Sequence, residues 1–282
     1  VIAIGLAGWG DHDELYNPGV RAGDKLAHYA KHYPIVEVDS TFYAIPSMET
    51  CRRWSDMTPP AFSFIVKAYK GLTGHDRSQP GFTELESTMK PFLESIQPFW
   101  EAGKLKAVLC QYPPWFDCTR ENVQVLRETK SLIGDLPAAL EFRHQSWFSD
   151  TFRAKTLQFM RSEGWIHSIC DEPQVAPFSV PTVLQATHDQ VTMVRMHGRN
   201  VSGWSQRGNP NWRAVRYLYN YNRSELQEWA EQLRSLEQQT EEICVVFNNN
   251  SGGDAASNAK QLMNLLQMDT LPLAPRQLDL FE

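Results

Sequence analysis

Residues 1–10, "VIAIGLAGWG", decide the architecture. Ile2 to Gly5 is a short β-branched run that reads as a strand, and the glycines at 5, 8 and 10 follow as a loop. A doubly wound open sheet would carry a G-x-G-x-x-G phosphate turn directly after its first strand. That spacing is absent, as is a P-loop, so the glycines read as turn formers. The stretch is also too short and too glycine-rich for a secretory leader.

Outward from it, the same module recurs. Strand candidates follow at Ile35–Val38, Phe62–Lys67, Lys106–Gln111, Ala138–Phe142, Ile166–Cys170, Val191–Met196 and Ile243–Phe247. Stretches of helical length and amphipathic pattern lie between them, among them "AGDKLAHYAKHY", "RENVQVLRETKSLI" and "RSELQEWAEQLRSLEQQ". Eight strand–helix units predict an α/β fold, a single TIM-type (β/α)8 barrel over residues 1–270, with an extended tail at 271–282. The active site of such a barrel lies at the C-terminal ends of its strands.

Strand parity then selects the residues at that end. Apolar positions mark the helix-facing side, so in "VEVD" Val36 and Val38 face out while Glu37 and Asp39 face in. The same rule turns Lys67, Gln111, Glu141, Arg143, Arg195 and His197 inward. Asp171 and one of Asn248 or Asn249 end strands six and eight, where parity is ambiguous. Buried ion pairs add little net stability, so so many charges at one barrel mouth point to a pocket. Glu37, Glu141, Asp171 and His197 are the acid/base candidates, and Lys67, Arg143 and Arg195 the anion holders. The plain structural alternative is mutual neutralisation of these charges.

No cofactor is required by the sequence. A divalent metal on Glu37, Glu141, Asp171 and His197, with His144 or His75, is the weaker expectation, because no H-x-x-H or H-E-x-x-H spacing exists and three cations share the rim. The five cysteines are odd in number and lack C-x-x-C spacing, and read as reduced residues of a cytoplasmic protein. No apolar run approaches the roughly 20 residues of a membrane span. The formal net charge is -6, yet Gln190–Ser224 holds six arginines, including Arg199, Arg207 and Arg216, and no Lys, Asp or Glu. Trp204, Trp212, Tyr217, Tyr219 and Tyr221 are interleaved with them, a composition that suits phosphates and stacked rings.

"GLAGWG", "VEVDSTFYAIP", "FSFIVKA", "LCQYPPWF", "LEFRHQSWF", "VRMHGR" and "VVFNNN" resemble, in this order, the motifs of domain-of-unknown-function family 72 (DUF 72). The resemblance implies a TIM-type barrel and no established reaction. Its motif residues fall on Glu37, Lys67, Gln111, Glu141, Arg143, Arg195, His197 and Asn248, while Asp39 stands where the family usually has Asn. Barrels of the endonuclease IV and xylose isomerase type offer an analogy at the level of fold alone.

Three functions follow as expectations. The first is an enzyme of hydrolase or isomerase type on a phosphorylated or nucleic-acid substrate, linked to DNA repair. The second is a noncatalytic nucleic-acid binding module that uses Arg199 and its neighbours. The third is an enzyme on a small sugar or carboxylate, with Trp9, Tyr43 and Trp147 stacking on a ring. At the terminus, Gln277, Leu278, Leu280 and Phe281 in "QLDLF" match the peptide by which bacterial replication and repair proteins dock on the DNA sliding clamp.

Overall fold

The structure is a computed structural model and describes residues 1–76, 82, 84–175, 179–205 and 215–271. Eight strands, β1 (Ile2–Ala7), β2 (Ile35–Val38), β3 (Ser63–Lys67), β4 (Leu105–Gln111), β5 (Ala138–Glu141), β6 (Ile166–Asp171), β7 (Val191–Met196) and β8 (Glu242–Phe247), pair in parallel in sequence order. β8 returns to β1 with Ile2 opposite Ile243, and the barrel is closed. All eight predicted strands are present, each within a residue or two of its predicted limits.

The two faces of each strand feed two separate apolar clusters. Ala3, Ile35, Ile65, Ala107, Ala139 and Val246 fill the barrel interior, while Ile4, Val36, Phe64, Val108, Leu140 and Val245 pack outward under the helices. Burial of a side chain of this size contributes roughly 1.5–3 kcal/mol, so a one-residue slip in register would exchange both sets and is strongly disfavoured. Gly5 is needed where β1 meets β2, because a Cβ there would lie 2.2 Å from the carbonyl oxygen of Ile35.

The helices are α1 (Lys25–Tyr29), α2 (Met48–Asp56), α3 (Leu85–Glu101), α4 (Arg120–Ile133), α5 (Arg153–Ser162), α6 (Val201–Ser205), α7 (Arg223–Leu236) and α8 (Ala255–Leu265). α4 matches its predicted stretch residue for residue; Thr119 Oγ1 accepts from the Asn122 N–H at 3.2 Å, and Gly134 stops it at φ 66°. α7 opens with a reciprocal Asn222–Glu225 capping box. "AGDKLAHYAKHY" yields only the short α1 after a 3-10 turn. Between β6 and β7 no helix occurs among the described residues, so that crossover departs from the strand–helix alternation. The five cysteines are free thiols, and only Cys118 is partly exposed. No helix among the described residues is long and apolar enough to cross a membrane.

Candidate active site

Inward parity carries Glu37 on β2, Glu141 on β5 and Arg195 on β7 into one layer above the apolar barrel interior, and none is more than 1% exposed. Arg195 Nε and Nη2 donate to the two oxygens of Glu37 at 2.8 and 2.6 Å. Its Nη1 donates to both oxygens of Glu141 at 2.9 Å and lies 3.4 Å from Gln111 Oε1. Arg143, just past β5, donates from Nε to Glu141 at 2.7 Å, from Nη1 to Glu172 at 2.9 Å and from Nη2 to His197 Nε2 at 2.8 Å. Ser168 Oγ adds a third donor to Glu141, and its fourth hydrogen bond, at 2.9 Å. Forked guanidinium–carboxylate pairs fix geometry as well as charge.

These contacts fix the protonation states. Burial pushes the Glu141 carboxyl up, but Arg143 and Arg195 outweigh it and hold the group well below the usual carboxylate range. Burial, reinforced by Arg143 and Arg195, keeps His197 far below its ordinary value and therefore neutral. Because Nε2 accepts from Arg143, Nδ1 carries the ring proton. Asn248 Nδ2 lies 3.0 Å from Nδ1, and with the Asn248 amide turned end for end its oxygen takes that place and accepts the Nδ1 proton. Gly198, at φ 84°, turns the chain just after His197 and donates its N–H to Tyr221 Oη at 2.9 Å.

Lys67 stands apart from this network. It ends β3 half-buried, with Nζ 4.6 Å from the centre of the Phe42 ring, and makes no ion pair or hydrogen bond with any described residue. Burial and the nearby Arg195 lower its ammonium below the usual lysine value, and Glu37 only partly restores it. Tyr217 faces the same space, its ring 5.9 Å from that of His197. Burial raises its phenol, but Arg216, Arg143, Lys67 and Arg195 together bring it below the ordinary value. Four cations around one phenol make the potential at the mouth positive.

The model of the family described as "Protein of unknown function DUF72" matches residues 3–278. The chain belongs to this family. A similar protein, UPF0759 protein YunF of Bacillus subtilis (strain 168), is 53% identical over 282 residues, which cover 100% of both chains. Among solved structures, a DUF72 family protein of Enterococcus faecalis V583 superposes with a TM-score of 0.89 at 37% identity, covering 99% of this chain and 100% of that one. A DUF72 family protein of Thermotoga maritima MSB8 gives 0.81 at 29% identity, covering 94% and 99%.

Of the candidates predicted from the sequence of this DUF72 chain, Glu37, Lys67, Gln111, Glu141, Arg143, Arg195, His197 and Asn248 converge. Asp171 does not. On β6 the inward positions are Ser168 and Cys170, so Asp171 faces the helix layer, where it accepts from Arg199 Nε at 2.9 and 3.1 Å and from Tyr221 Oη at 2.5 Å. Arg199 is thereby tied to Asp171, with Glu228 3.4 Å from its Nη1, rather than offered to a phosphate. Trp147 is 1% exposed, stacks on Phe142 at 4.1 Å and donates Nε1–H to the Phe116 carbonyl, which leaves no face for a ligand. Tyr43 is 61% exposed and packs edge-on against Phe42, at the rim. Gln277, Leu278, Leu280 and Phe281, and Arg207 and Trp212, lie outside the described residues.

Sequence reading missed Glu172, the acid that the alternation of β6 aims inward beside Arg143, and Ser168, two residues before Cys170. Both would have followed had Ile166 been assigned to the barrel interior. Tyr217 carried no signal beyond its aromatic neighbours.

Glu141, Cys170 and His197 bring one ligand atom each within 4.8 Å of one another, the spacing of a metal site. The donor set does not fit a divalent cation. Arg143 already occupies His197 Nε2 and Glu141, Arg195 takes both oxygens of Glu141, and burial drives the Cys170 thiol far up, away from the thiolate a metal needs. A cleft of about 660 Å³ beside the β5 and β6 loops, lined by His144, Ser146, Phe148, Asp150, Gln174 and Ser179, contains none of the network residues.

Proposed function

We propose that this DUF72 barrel is an enzyme that carries out proton-transfer chemistry at its C-terminal face on a substrate bearing a phosphate or carboxylate. The observation that carries the reading is Lys67, an ammonium at a strand end with no carboxylate partner among the described residues, in a field positive enough to acidify Tyr217. The incoming anion supplies the missing counter-charge. Tyr217 is the group with both the exposure and the acidity to exchange a proton with substrate. Glu37, Glu141, Arg143 and Arg195 hold one another and serve as the frame that fixes His197 and the floor of the pocket.

Among the described arginines of Gln190–Ser224, Arg195 and Arg199 are spent on carboxylates, which favours a small anion over a nucleic-acid track. The tail "QLDLF" supports a separate partner proposal, docking on a DNA sliding clamp, with Leu280 and Phe281 filling an apolar pocket and Gln277 making polar contacts at its edge.

Calorimetric titration with inorganic phosphate and with small phosphomonoesters at low salt tests the enzyme reading. Wild type should bind, and Lys67→Met should weaken binding by roughly tenfold or more, as loss of a charge-assisted contact requires. Equal binding by the variant, or no binding of any anion, would remove it.

A further inference from the structure

Resting on the anionic-substrate reading above, we propose that Lys67 is a nucleophilic amine, and that the substrate is a carbonyl compound carrying a phosphate or carboxylate that is held as a Schiff base on Nζ during turnover.

Elimination among the nucleophiles at the mouth leads there. Ser168 donates its hydroxyl to Glu141, and both nitrogens of His197 are committed, to Arg143 and Asn248. The Cys170 thiol is buried and resists ionisation, with Glu141 adding to the effect of burial. Lys67 alone keeps an uncommitted lone-pair atom among these.

The contrast with the other low-exposure lysines sharpens the point. Lys104 Nζ is held by the carbonyl oxygens of Ser55 and Thr58 at 2.6 and 2.8 Å, and Lys260 Nζ donates to the His32 carbonyl at 3.2 Å, so both serve as internal hydrogen-bond donors. Lys67 has an aromatic face, a guanidinium neighbour and an open side. An amine in water near neutral pH is almost wholly protonated and inert. Partial desolvation beside another cation, the environment that Arg195 and the Phe42 ring provide, favours the free base.

The step balances with the groups present. After the ammonium form has drawn the anion in, Lys67 gives its proton to solvent; the neutral Nζ then adds to the carbonyl carbon and one N–H proton passes to the oxygen, which gives a carbinolamine. Tyr217 donates its phenolic proton to that hydroxyl, which leaves as water while the nitrogen lone pair forms the C=N bond. The products are an iminium on Lys67 and a Tyr217 phenolate, and the latter is stabilised by the same cations that acidify the phenol. Hydrolysis runs the sequence backwards and needs no oxidant or reductant.

The full-length chain is incubated with pyridoxal 5′-phosphate, and separately with glyoxylate and pyruvate, then reduced with borohydride, which converts the iminium to a stable secondary amine. Peptide mapping by mass spectrometry locates the adducts. Modification of Lys67 should be roughly tenfold faster than that of the exposed Lys31 and Lys90, and should vanish in Lys67→Arg, which keeps the positive charge but offers no nucleophilic amine. Label spread evenly over the lysines, or an unmodified Lys67, overturns the proposal. Phosphate calorimetry on the same preparation separates the two readings: phosphate binding without Lys67 condensation leaves the anion pocket standing and removes the nucleophile.

Discussion

Replacement of Arg195 by Met removes one guanidinium from the centre of the mouth, and its consequence can be worked from the contacts. Glu141 keeps Arg143 at 2.7 Å and Ser168 at 2.9 Å. Glu37 keeps no hydrogen-bond donor among the described residues and is 0% exposed. Breaking one side of a buried pair costs about 3–5 kcal/mol, because an uncompensated charge stays behind. For a chain of this size, with about 2–4 °C per kcal/mol, the melting temperature should fall by roughly 6–20 °C. Urea unfolding followed by circular dichroism measures the loss. Adding Glu37→Gln to the variant should recover more than half of it, since the orphaned charge goes too. Lowering the pH should narrow the deficit of the single variant, because an unpaired buried carboxylate sheds its charge by taking up a proton. A single variant within about 1 kcal/mol of wild type would refute the view that Arg195 frames the site, since that loss is no larger than an average point substitution gives.

Other consequences follow from the same geometry. Lys67→Met removes a desolvated ammonium that has no ion pair among the described residues and should leave the melting temperature unchanged or raise it by about 2–4 °C, equivalent to roughly 1 kcal/mol, while weakening phosphate binding by roughly tenfold or more; a large loss of stability would show that Lys67 is structural. The sign agrees with its lowered value: between its folded and unfolded midpoints the unfolded chain binds more protons, so Lys67 destabilises the fold at neutral pH and this penalty fades as pH rises. Tyr217→Phe should leave unfolding unchanged and delete a phenol transition that lies below the ordinary tyrosine value from a spectrophotometric pH titration of wild type; an identical titration curve would contradict the positive field. Deletion of Gln277–Glu282 should abolish binding to a purified bacterial sliding clamp with no change in melting temperature. Equal, negligible binding by both forms would dismiss the clamp.

The barrel was legible because its signal is local. Val36 and Val38 against Glu37, or Val194 and Met196 against Arg195, announce strand and facing within four residues, and eight such runs leave little choice of fold. The failures are also physical. β6 is buried on both faces, so Ser168, Ile169, Cys170 and Asp171 show no polar–apolar alternation, and the facing of Asp171 and Glu172 is not legible from it. Trp147 follows directly on an inward motif, but the stack of Phe142 and Phe116 claims its ring. The division of the charges into a closed network and a leftover Lys67 could not be read at all, since Arg195 and Glu37 are 158 residues apart and pairing is a property of the closed barrel.

The most direct test is to titrate the Lys67 amine itself. Reductive dimethylation with carbon-13 formaldehyde, with the resonance assigned through Lys67→Arg, reports the ionisation of each lysine by NMR. The account predicts a Lys67 midpoint below that of the exposed Lys31, shifting upward when inorganic phosphate is added, as the missing counter-charge arrives. A midpoint at or above that of Lys31, insensitive to phosphate, would contradict an unpaired ammonium waiting at the barrel mouth.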